Sequence, residues 1–236
     1  LKKKHFGLVV LPELFSSGYL FESKKEILPY AENFSQSRVI KVLTDLAKIT
    51  NGVITGTVPE KVNGLVYNTA IVVNSKGLMG KQRKIHLTDY EKKVFSAGDR
   101  LPIFEVEGIK IGIAICFDIY FPELARILTR NGAEIICHPA NFGGKTSLGI
   151  IKTRSLENKV WMVTANRIGE ESNGNGSANF RGESQIINSS GDILKKSGAK
   201  ADCQFTEYSG NENAKRSDTI CSDYSEEWNK YKIEKI

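Results

Sequence analysis

The sequence predicts an α/β fold, because short runs rich in valine and isoleucine alternate along the chain with amphipathic helical patterns. The chain has 236 residues, of which 40% are hydrophobic and 25% are charged. Such a composition is typical of a globular protein and supplies enough apolar material for one large core. We therefore predict a single domain over residues 1–236, since no internal repeat or linker divides the sequence.

In chain order, the predicted elements are separated by turn-forming glycine, asparagine and serine residues. The strands lie near 6–11, 53–58, 66–73, 103–106, 111–116, 134–139, 160–166 and 184–188, and the helices near 36–49, 121–131 and 147–158. The first helix has apolar Val39, Leu43 and Ala47 at helical spacing, and the second carries Pro122 in its first turn, where proline is tolerated. The Gly- and Asn-rich stretch 170–179 is predicted to be a loop.

The candidate nucleophile is Cys116, which lies where a predicted strand ends and the helix that contains Pro122 follows. A side chain at such a position projects from a sheet edge, and the unpaired amides of a nearby helix start favour a thiolate over a thiol. A lone cysteine in an apolar strand is also commonly an inert core residue. The pattern alone leaves both interpretations open.

Two further segments contain charged residues after predicted strands. Glu13 directly follows the aliphatic run 8–11, where a carboxylate can have a raised pKa and act as a base, or can simply cap the following turn. Lys84 lies in the basic run 80–87, a pattern typical of a solvated surface or of a phosphate-binding patch.

Together these segments resemble the nitrilase superfamily of carbon–nitrogen hydrolases, whose members carry a Glu-Lys-Cys triad in this chain order. Each candidate lies in a matching motif: Glu13 in Leu-Pro-Glu-Leu-Phe, Lys84 in Arg-Lys-Ile-His-Leu and Cys116 in Ile-Cys-Phe-Asp. Further matches follow at 132–141, 154–158, 164–169 and 182–187, so the resemblance is continuous from about residue 8 to about residue 195.

The resemblance implies a four-layer αββα sandwich, usually doubled through a dimer into an eight-layer αββα–αββα assembly. Family members usually begin with a further strand and helix before the Leu-Pro-Glu motif, so the resemblance implies that these elements are missing from residues 1–236. The tail from residue 209 onward matches the family only loosely. No metal and no organic cofactor is expected.

The resemblance also implies a role for each site residue. Cys116 is the nucleophile, Glu13 the base, and Lys84 with the backbone N–H of Phe117 the oxyanion donors. Glu91 aligns with a second glutamate that positions substrate and lysine, although the pattern alone also fits an ordinary surface helix residue. The pocket is expected to include Asn141 and Phe142, and the cysteine loop to be supported by Asp118, Glu123 and Arg126. A histidine is not required, so His86 is expected to be a structural hydrogen-bonding residue.

The implied activity is hydrolysis of a small linear amide, an ω-amide or an N-carbamoyl amine, to an acid and ammonia or an amine through a thioester on Cys116. One alternative is a true nitrilase that converts a small aliphatic nitrile to acid and ammonia. The other alternative is a catalytically silent binding or assembly subunit. Pocket loops decide among substrates, and their conformations are not readable from the pattern.

Cysteine spacing and charge limit the other classes. The residues Cys116, Cys137, Cys203 and Cys221 form no Cys-x-x-Cys pair, so neither a zinc site nor a disulfide framework is indicated, and free thiols fit a reducing cytoplasm. Cys137 beside His138 is predicted to be a packed core cysteine.

The net charge of +6 is spread along the chain, which indicates a solvated surface and no nucleic-acid partner. No run is long enough to span a membrane, and the expected partners are a small amide or nitrile and a second copy of the chain.

Overall fold

The computed structural model describes residues 7–174 and 176–210 of the chain. The strands are β1 Gly7–Val10, β2 Gly52–Val62, β3 Leu65–Asn74, β4 Gly77–Arg83, β5 Phe104–Val106, β6 Ile109–Ile113, β7 Ile135–Ala140, β8 Trp161–Asn166, β9 Ile168–Asn173, β10 Gly176–Arg181, β11 Gln185–Ile187 and β12 Ile193–Lys196. The helices are α1 Lys24–Ile27, α2 Arg38–Thr50, α3 Pro122–Arg130 and α4 Thr146–Asn158, with 3-10 turns at Leu28–Tyr30, Phe34–Gln36, Glu91–Lys93 and Cys116–Tyr120. The predicted features of the tail from residue 211 onward lie outside the described residues.

Two sheets form the centre of the fold. The first has the strand order β1-β2-β3-β4, in which β1 is parallel to β2 and the other neighbours are antiparallel. The second has the order β12-β11-β8-β7-β6-β5, and its central strands β6, β7 and β8 are parallel. Strands β1 and β4 therefore run in the same direction in the first sheet, as do β6, β7 and β8 in the second.

Apolar clusters on both faces of each sheet define four layers. Between the sheets, Val53 and Val72 of the first sheet pack in one cluster with Ile113, Cys137 and Trp161 of the second. On the outer face of the first sheet, α2 packs its buried side chains Ile40, Leu43 and Ala47. On the outer face of the second sheet, α3 and α4 contribute Leu124, Leu128 and Ile151. The order of layers is therefore helix, sheet, sheet, helix, as predicted for an αββα sandwich.

The stretch 170–179 is not the loop that its composition predicts. Strands β9 and β10 form an antiparallel hairpin there, with Glu170 opposite Asn179 and Ser172 opposite Ser177. The prediction was wrong because glycine and asparagine raise the local tendency to turn, whereas the cross-strand hydrogen bonds of the ladder depend on the partner strand. This hairpin reaches the loop that carries Glu13, as described below.

The first four residues of the basic run 80–87 belong to β4, and the other four follow this strand. Lys81 and Arg83 flank the buried Glu60 on β2, and Arg83 Nε lies 2.9 Å from Glu60 Oε2. Gln82, which points to the other face, donates its side-chain N–H to Ile113 O at 2.9 Å. The strand thus alternates between an ion-paired face and a face toward the second sheet.

Other predictions concern burial and membrane association. Cys137 is fully buried between the sheets, which confirms the prediction of a packed core cysteine. Within residues 7–174 and 176–210, no helix is long and apolar enough to cross a bilayer.

Truncation of Ile113 tests the interface between the sheets. Ile113→Ala is expected to lower the free energy of unfolding by about 2 to 5 kcal/mol, because the side chain is fully buried and leaves a cavity. The matched control Ile49→Ala removes a side chain on α2 that is 81% exposed, and should change it by about 0.5 kcal/mol or less. Urea unfolding measures both, and equal effects would contradict this account of the core.

Candidate active site

The loop that follows β1 places Glu13 inside the protein. The strand-like backbone continues to Leu11, whose N–H donates to Thr55 O at 2.7 Å. Leu14 then adopts a left-handed conformation, with φ of 47°, and its N–H donates to Thr57 Oγ1 at 2.7 Å. This turn directs the chain back across β2 and leaves Glu13 fully buried.

Lys84 follows β4 and lies between two carboxylates. Its backbone N–H donates to Asn68 O at 2.8 Å, which extends the pairing of β4 with β3 beyond the end of the strand. Its side-chain Nζ lies 2.7 Å from Glu13 Oε1 and 2.6 Å from Glu91 Oε1. Glu91, in the 3-10 turn Glu91–Lys93, is buried rather than on the surface, and its Oε2 accepts from Thr88 N at 3.0 Å.

Cys116 starts a 3-10 turn just beyond β6. The strand ends at Ile113, somewhat earlier than predicted, and Cys116 has a φ of 44°. A residue with a β-carbon in this left-handed region costs about 1 to 3 kcal/mol, so the surrounding contacts must hold it. Because β1, β4 and β6 all point their carboxyl ends to one end of the sandwich, Glu13, Lys84 and Cys116 meet there.

The Asp118 carboxylate binds the backbone of the cysteine turn and also binds His86. Asp118 Oδ2 accepts the Ile115 N–H at 3.0 Å, and Oδ1 accepts the His86 N–H at 2.8 Å. His86 Nδ1 lies 3.0 Å from the same Oδ1, and its ring stacks on Phe121 at 3.6 Å between centroids. His86 thus has the structural hydrogen-bonding surroundings that the sequence predicts.

The other two residues predicted to support the turn lie on α3. Glu123 is exposed and Arg126 is half-buried, whereas the backbone of the turn is contacted from the next helix. That contact comes from Arg154 on α4, which donates through Nε to Ile119 O at 3.0 Å and through Nη2 to Tyr120 O at 3.2 Å.

His138, on β7, contacts the carbonyl oxygen of Cys116. Its Nε2 lies 3.2 Å from Cys116 O and its Nδ1 lies 3.1 Å from Thr164 Oγ1. Burial lowers the pKa of His138 to about 4, so the ring is neutral at neutral pH. A neutral ring that donates from Nε2 to Cys116 O must accept from the Thr164 hydroxyl at Nδ1.

The charges of the triad follow from burial and mutual contact. Burial raises the pKa of Glu13 above 4.5, Lys84 opposes this shift and Glu91 adds to it. Burial alone would lower the pKa of Lys84, but Glu13 and Glu91 outweigh it and hold this pKa well above 10.5. Burial and the Glu13 charge raise the pKa of the Cys116 thiol well above 9.0, with Lys84 opposing. The resting cysteine is therefore a thiol, which reverses the expectation of a thiolate at a helix start.

One oxygen of Glu13 is free to take the thiol proton. Glu13 Oε1 accepts from Asn68 Nδ2 at 2.7 Å and from Lys84 Nζ, whereas the buried Oε2 has no nitrogen or oxygen partner. The Cys116 thiol lies close enough that a hydrogen bond from it lowers the pKa of Glu13. An acceptor with an unused lone pair beside a protonated thiol is the arrangement that general-base catalysis requires.

The predicted pocket residues Asn141 and Phe142 follow β7 at the same end of the sheet. Asn141 Nδ2 donates to Glu13 O at 3.0 Å, and the backbone of Asn141 lies close enough to Cys116 to lower the pKa of the thiol. Phe142 is held through its backbone by Asn166, with N–H···O distances of 2.9 Å in both directions. Phe117, next to Cys116, packs its ring 5.4 Å from that of Tyr120.

Four residues of this site were not predicted from the sequence: Thr57, Asn68, His138 and Arg154. Asn68 and His138 lie in predicted strands, but the sequence gives no signal for which residue of a strand faces a distant loop. Within the described part of the chain, no group of three or more histidine, cysteine, aspartate or glutamate side chains is placed to hold a metal ion.

A family model for carbon–nitrogen hydrolases matches residues 1–206. The chain belongs to the carbon–nitrogen hydrolase family. The nitrilase of Pyrococcus abyssi is 41% identical over 193 residues, which cover 81% of this chain and 72% of that relative. An omega-amidase of Xenopus tropicalis is 31% identical over 215 residues, which cover 84% and 75% of the two chains.

The fold comparison agrees with the layers described above. The crystal structure of a carbon–nitrogen hydrolase from Helicobacter pylori G27 matches with a TM-score of 0.76 and 28% identity, covering 83% of this chain and 74% of that one. The predicted membership in the nitrilase superfamily, its sandwich fold and an enzyme of the amidase/nitrilase class are thereby confirmed.

Titration of the Cys116 thiol tests the electrostatics of this carbon–nitrogen hydrolase. The thiolate absorbance that is lost in Cys116→Ser is expected to rise only well above pH 9.0, because burial and the Glu13 carboxylate disfavour the anion. Glu13→Gln removes that charge and should move the midpoint to lower pH.

The control for this titration is Glu170→Gln, which changes an exposed carboxylate on β9 and should leave the midpoint in place. The same pKa shift makes the stability depend on pH. The Cys116 thiol loses its proton at a lower pH in the unfolded chain than in the folded protein, so the free energy of unfolding falls as pH rises beyond 9.0. A wild-type midpoint at or below pH 9.0 would contradict this description.

Proposed function

We propose that this protein hydrolyses a small linear amide, an ω-amide or an N-carbamoyl amine, with Cys116 as nucleophile, Glu13 as general base and acid, and Lys84 as oxyanion donor. The observation that carries the proposal is the placement of Glu13: its Oε1 is held by Lys84 and Asn68, its buried Oε2 has no nitrogen or oxygen partner, and the Cys116 thiol is close enough to lower the pKa of the carboxyl group. The omega-amidase relative supports amides as the substrate class.

In the first half-reaction, Glu13 accepts the thiol proton while the Cys116 sulfur bonds to the carbonyl carbon. The carbonyl π electrons move to oxygen, and Glu13 then gives its proton to the nitrogen as the carbon–nitrogen bond breaks. Ammonia or an amine leaves, and a thioester remains on Cys116. Because burial and the Glu13 charge raise the pKa of the Cys116 thiol, the sulfur rests protonated and proton transfer accompanies attack.

The oxyanion requires donors that are in place before the reaction. Lys84 carries three N–H groups, and the contacts to Glu13 and Glu91 use two of them, so the third can point to substrate oxygen. The raised pKa of Lys84 keeps it charged through neutral pH. We assign the backbone N–H of Phe117 as the second donor, and such a donor contributes about 10²- to 10³-fold in rate.

In the second half-reaction, Glu13 removes a proton from a water molecule while the water oxygen attacks the thioester carbon. The tetrahedral intermediate collapses by breaking the carbon–sulfur bond, and the proton on Glu13 returns to the sulfur. The acid product leaves and the thiol is restored. Glu91 holds Lys84 from the side opposite Glu13, and Asn141 and Phe142 contribute to the wall of the pocket. Because catalysis needs a free thiol, we place the enzyme in the reducing cytoplasm.

A nitrilase activity is the second candidate, supported by the 41% identical nitrilase of Pyrococcus abyssi. The same cysteine would attack the nitrile carbon, so the triad does not separate the two activities. A silent binding subunit is the third candidate. Turnover of nitriles without comparable turnover of amides would favour the second, and a folded wild type that turns over neither would favour the third.

Ammonia release tests the proposal. Wild-type protein is expected to release ammonia from a panel of ω-amides and N-carbamoyl amines, and Cys116→Ala should lower the rate by on the order of 10⁴-fold or more, because no nucleophile remains. The control Cys203→Ser replaces an exposed free cysteine and should keep the wild-type rate. Undiminished turnover in Cys116→Ala would disprove the assignment of the nucleophile.

We also propose a homodimer that packs through the layer of α3 and α4. This face exposes three large apolar side chains, Tyr120, Ile127 and Leu156, and it lies directly above the Cys116 turn through the contacts of Arg154. A partner that covers them would also restrict movement of the turn.

Sedimentation measures this association. The wild type is expected to sediment as a dimer and Ile127→Asp as a monomer, because a charge would be buried in the contact. Ile49→Asp on α2 serves as the control and should stay dimeric. Dissociation of the control instead of Ile127→Asp would place the contact on the opposite helical layer.

A further inference from the structure

We infer that Glu171 on β9, held by Arg167, is a positioning residue for the catalytic loop 13–20. The inference rests on the role of Glu13 in the proposed function, and it assigns a task to the β9–β10 hairpin. Glu171 lies 152 positions from Tyr19 in sequence and Arg167 lies 153 positions from Leu14, so their contacts join the β9–β10 hairpin to the first loop of the sandwich.

Glu171 binds the backbone of the loop directly. Its Oε1 accepts the N–H of Tyr19 at 2.7 Å and the N–H of Leu20 at 2.8 Å. These are charge-assisted hydrogen bonds to two successive amides, which are stronger than neutral ones. The approach depends on Gly18, with φ of 89°, where an added β-carbon would lie 2.8 Å from Glu171 Oε1.

Arg167 ties the carboxylate to the residue next to Glu13. Its Nη1 lies 2.6 Å from Glu171 Oε2, and its Nη2 lies 3.5 Å from Leu14 O. Leu14 is the left-handed residue that follows Glu13, and its N–H is held on the other side by Thr57. Both backbone polar groups of this strained residue therefore have side-chain partners from other elements.

The same contacts place Tyr19 beside the triad. The Tyr19 ring packs 6.1 Å from Phe180 on β10 in an edge arrangement, and Arg167 lies 5.3 Å above the Phe180 ring. Burial raises the pKa of Tyr19 well above its ordinary value, and the charges of Glu91 and Glu13 add to the shift. The hairpin thus sets the position of two side chains of one loop, one of which is the proposed base.

The base of the hairpin belongs to the same end of the second sheet. Arg167 donates its backbone N–H to Ala140 O at 3.1 Å, immediately before Asn141, and its carbonyl accepts from Gly182 N at 2.9 Å. Asn141 in turn donates to Glu13 O. The position of Glu171 is therefore fixed relative to the cysteine side of the site, and through it the position of Glu13 relative to Cys116.

The test uses Glu171→Ala, Glu171→Gln and the control Glu170→Gln, in which a neighbouring exposed carboxylate is changed. Glu171→Ala is expected to lower kcat by about 10- to 100-fold with a smaller change in KM, because a base displaced by about 1 Å loses that much rate. Glu171→Gln keeps an oxygen acceptor for the two amides and should fall between the alanine variant and the wild type. Glu170→Gln should equal the wild type.

A second readout does not depend on turnover. In Glu171→Ala, the Glu13 charge should lie farther from the Cys116 thiol. The midpoint of the thiolate titration in this variant should therefore move toward the midpoint measured for Glu13→Gln. An unchanged midpoint in a folded Glu171→Ala protein, whether or not kcat falls, would overturn the inference. A shifted midpoint in a protein that hydrolyses no amide or nitrile would support the positioning role and reject the proposed function, so the two failures are distinguishable.

Discussion

The buried ammonium of Lys84 between Glu13 and Glu91 is the interaction on which the rest of the site depends. Two carboxylates buried together would each resist ionisation, and a lone buried ammonium would lose its proton. Lys84 Nζ lies 2.7 Å from Glu13 Oε1 and 2.6 Å from Glu91 Oε1, and these two contacts keep the buried ammonium charged. The transfer of these charged side chains out of water costs free energy, and the ion pairs add little net stability. Their main contribution is therefore to fix the geometry of the site.

The two-sheet architecture supplies that geometry. Strands β1 and β4 deliver Glu13 and Lys84 from one sheet, and β6 delivers Cys116 from the other, all at the same end of the sandwich. The apolar layer between the sheets fixes the distance from sulfur to carboxylate. The cost of the left-handed Cys116 is offset by Asp118, His138 and Arg154, which bind the backbone on both sides of it. Each of these is buried or half-buried, so the turn has few alternative conformations.

The resemblance to the nitrilase superfamily predicted the layers, and Glu13, Lys84 and Cys116 were proposed because each lies within a recognisable motif that follows a predicted strand. The predicted strand near 111–116 ends later than β6, and the β9–β10 hairpin was predicted to be a loop. Both predictions rest on local composition, which carries no information about pairing with strands that are distant in sequence. Asn68, His138 and Glu171 could not be found, because their partners are distant in sequence. The protonation state of Cys116 was also out of reach, since burial by several elements decides it.

The reach of β9 back to residues 19 and 20 affects the order of folding. During synthesis, the loop with Glu13 leaves the ribosome long before Glu171 exists, so the early sheet can form while its first loop lacks an anchor. Long-range contacts of this kind close late and slowly. Glu171 is made only after most of the domain, so the loop that carries Glu13 receives this anchor late in synthesis.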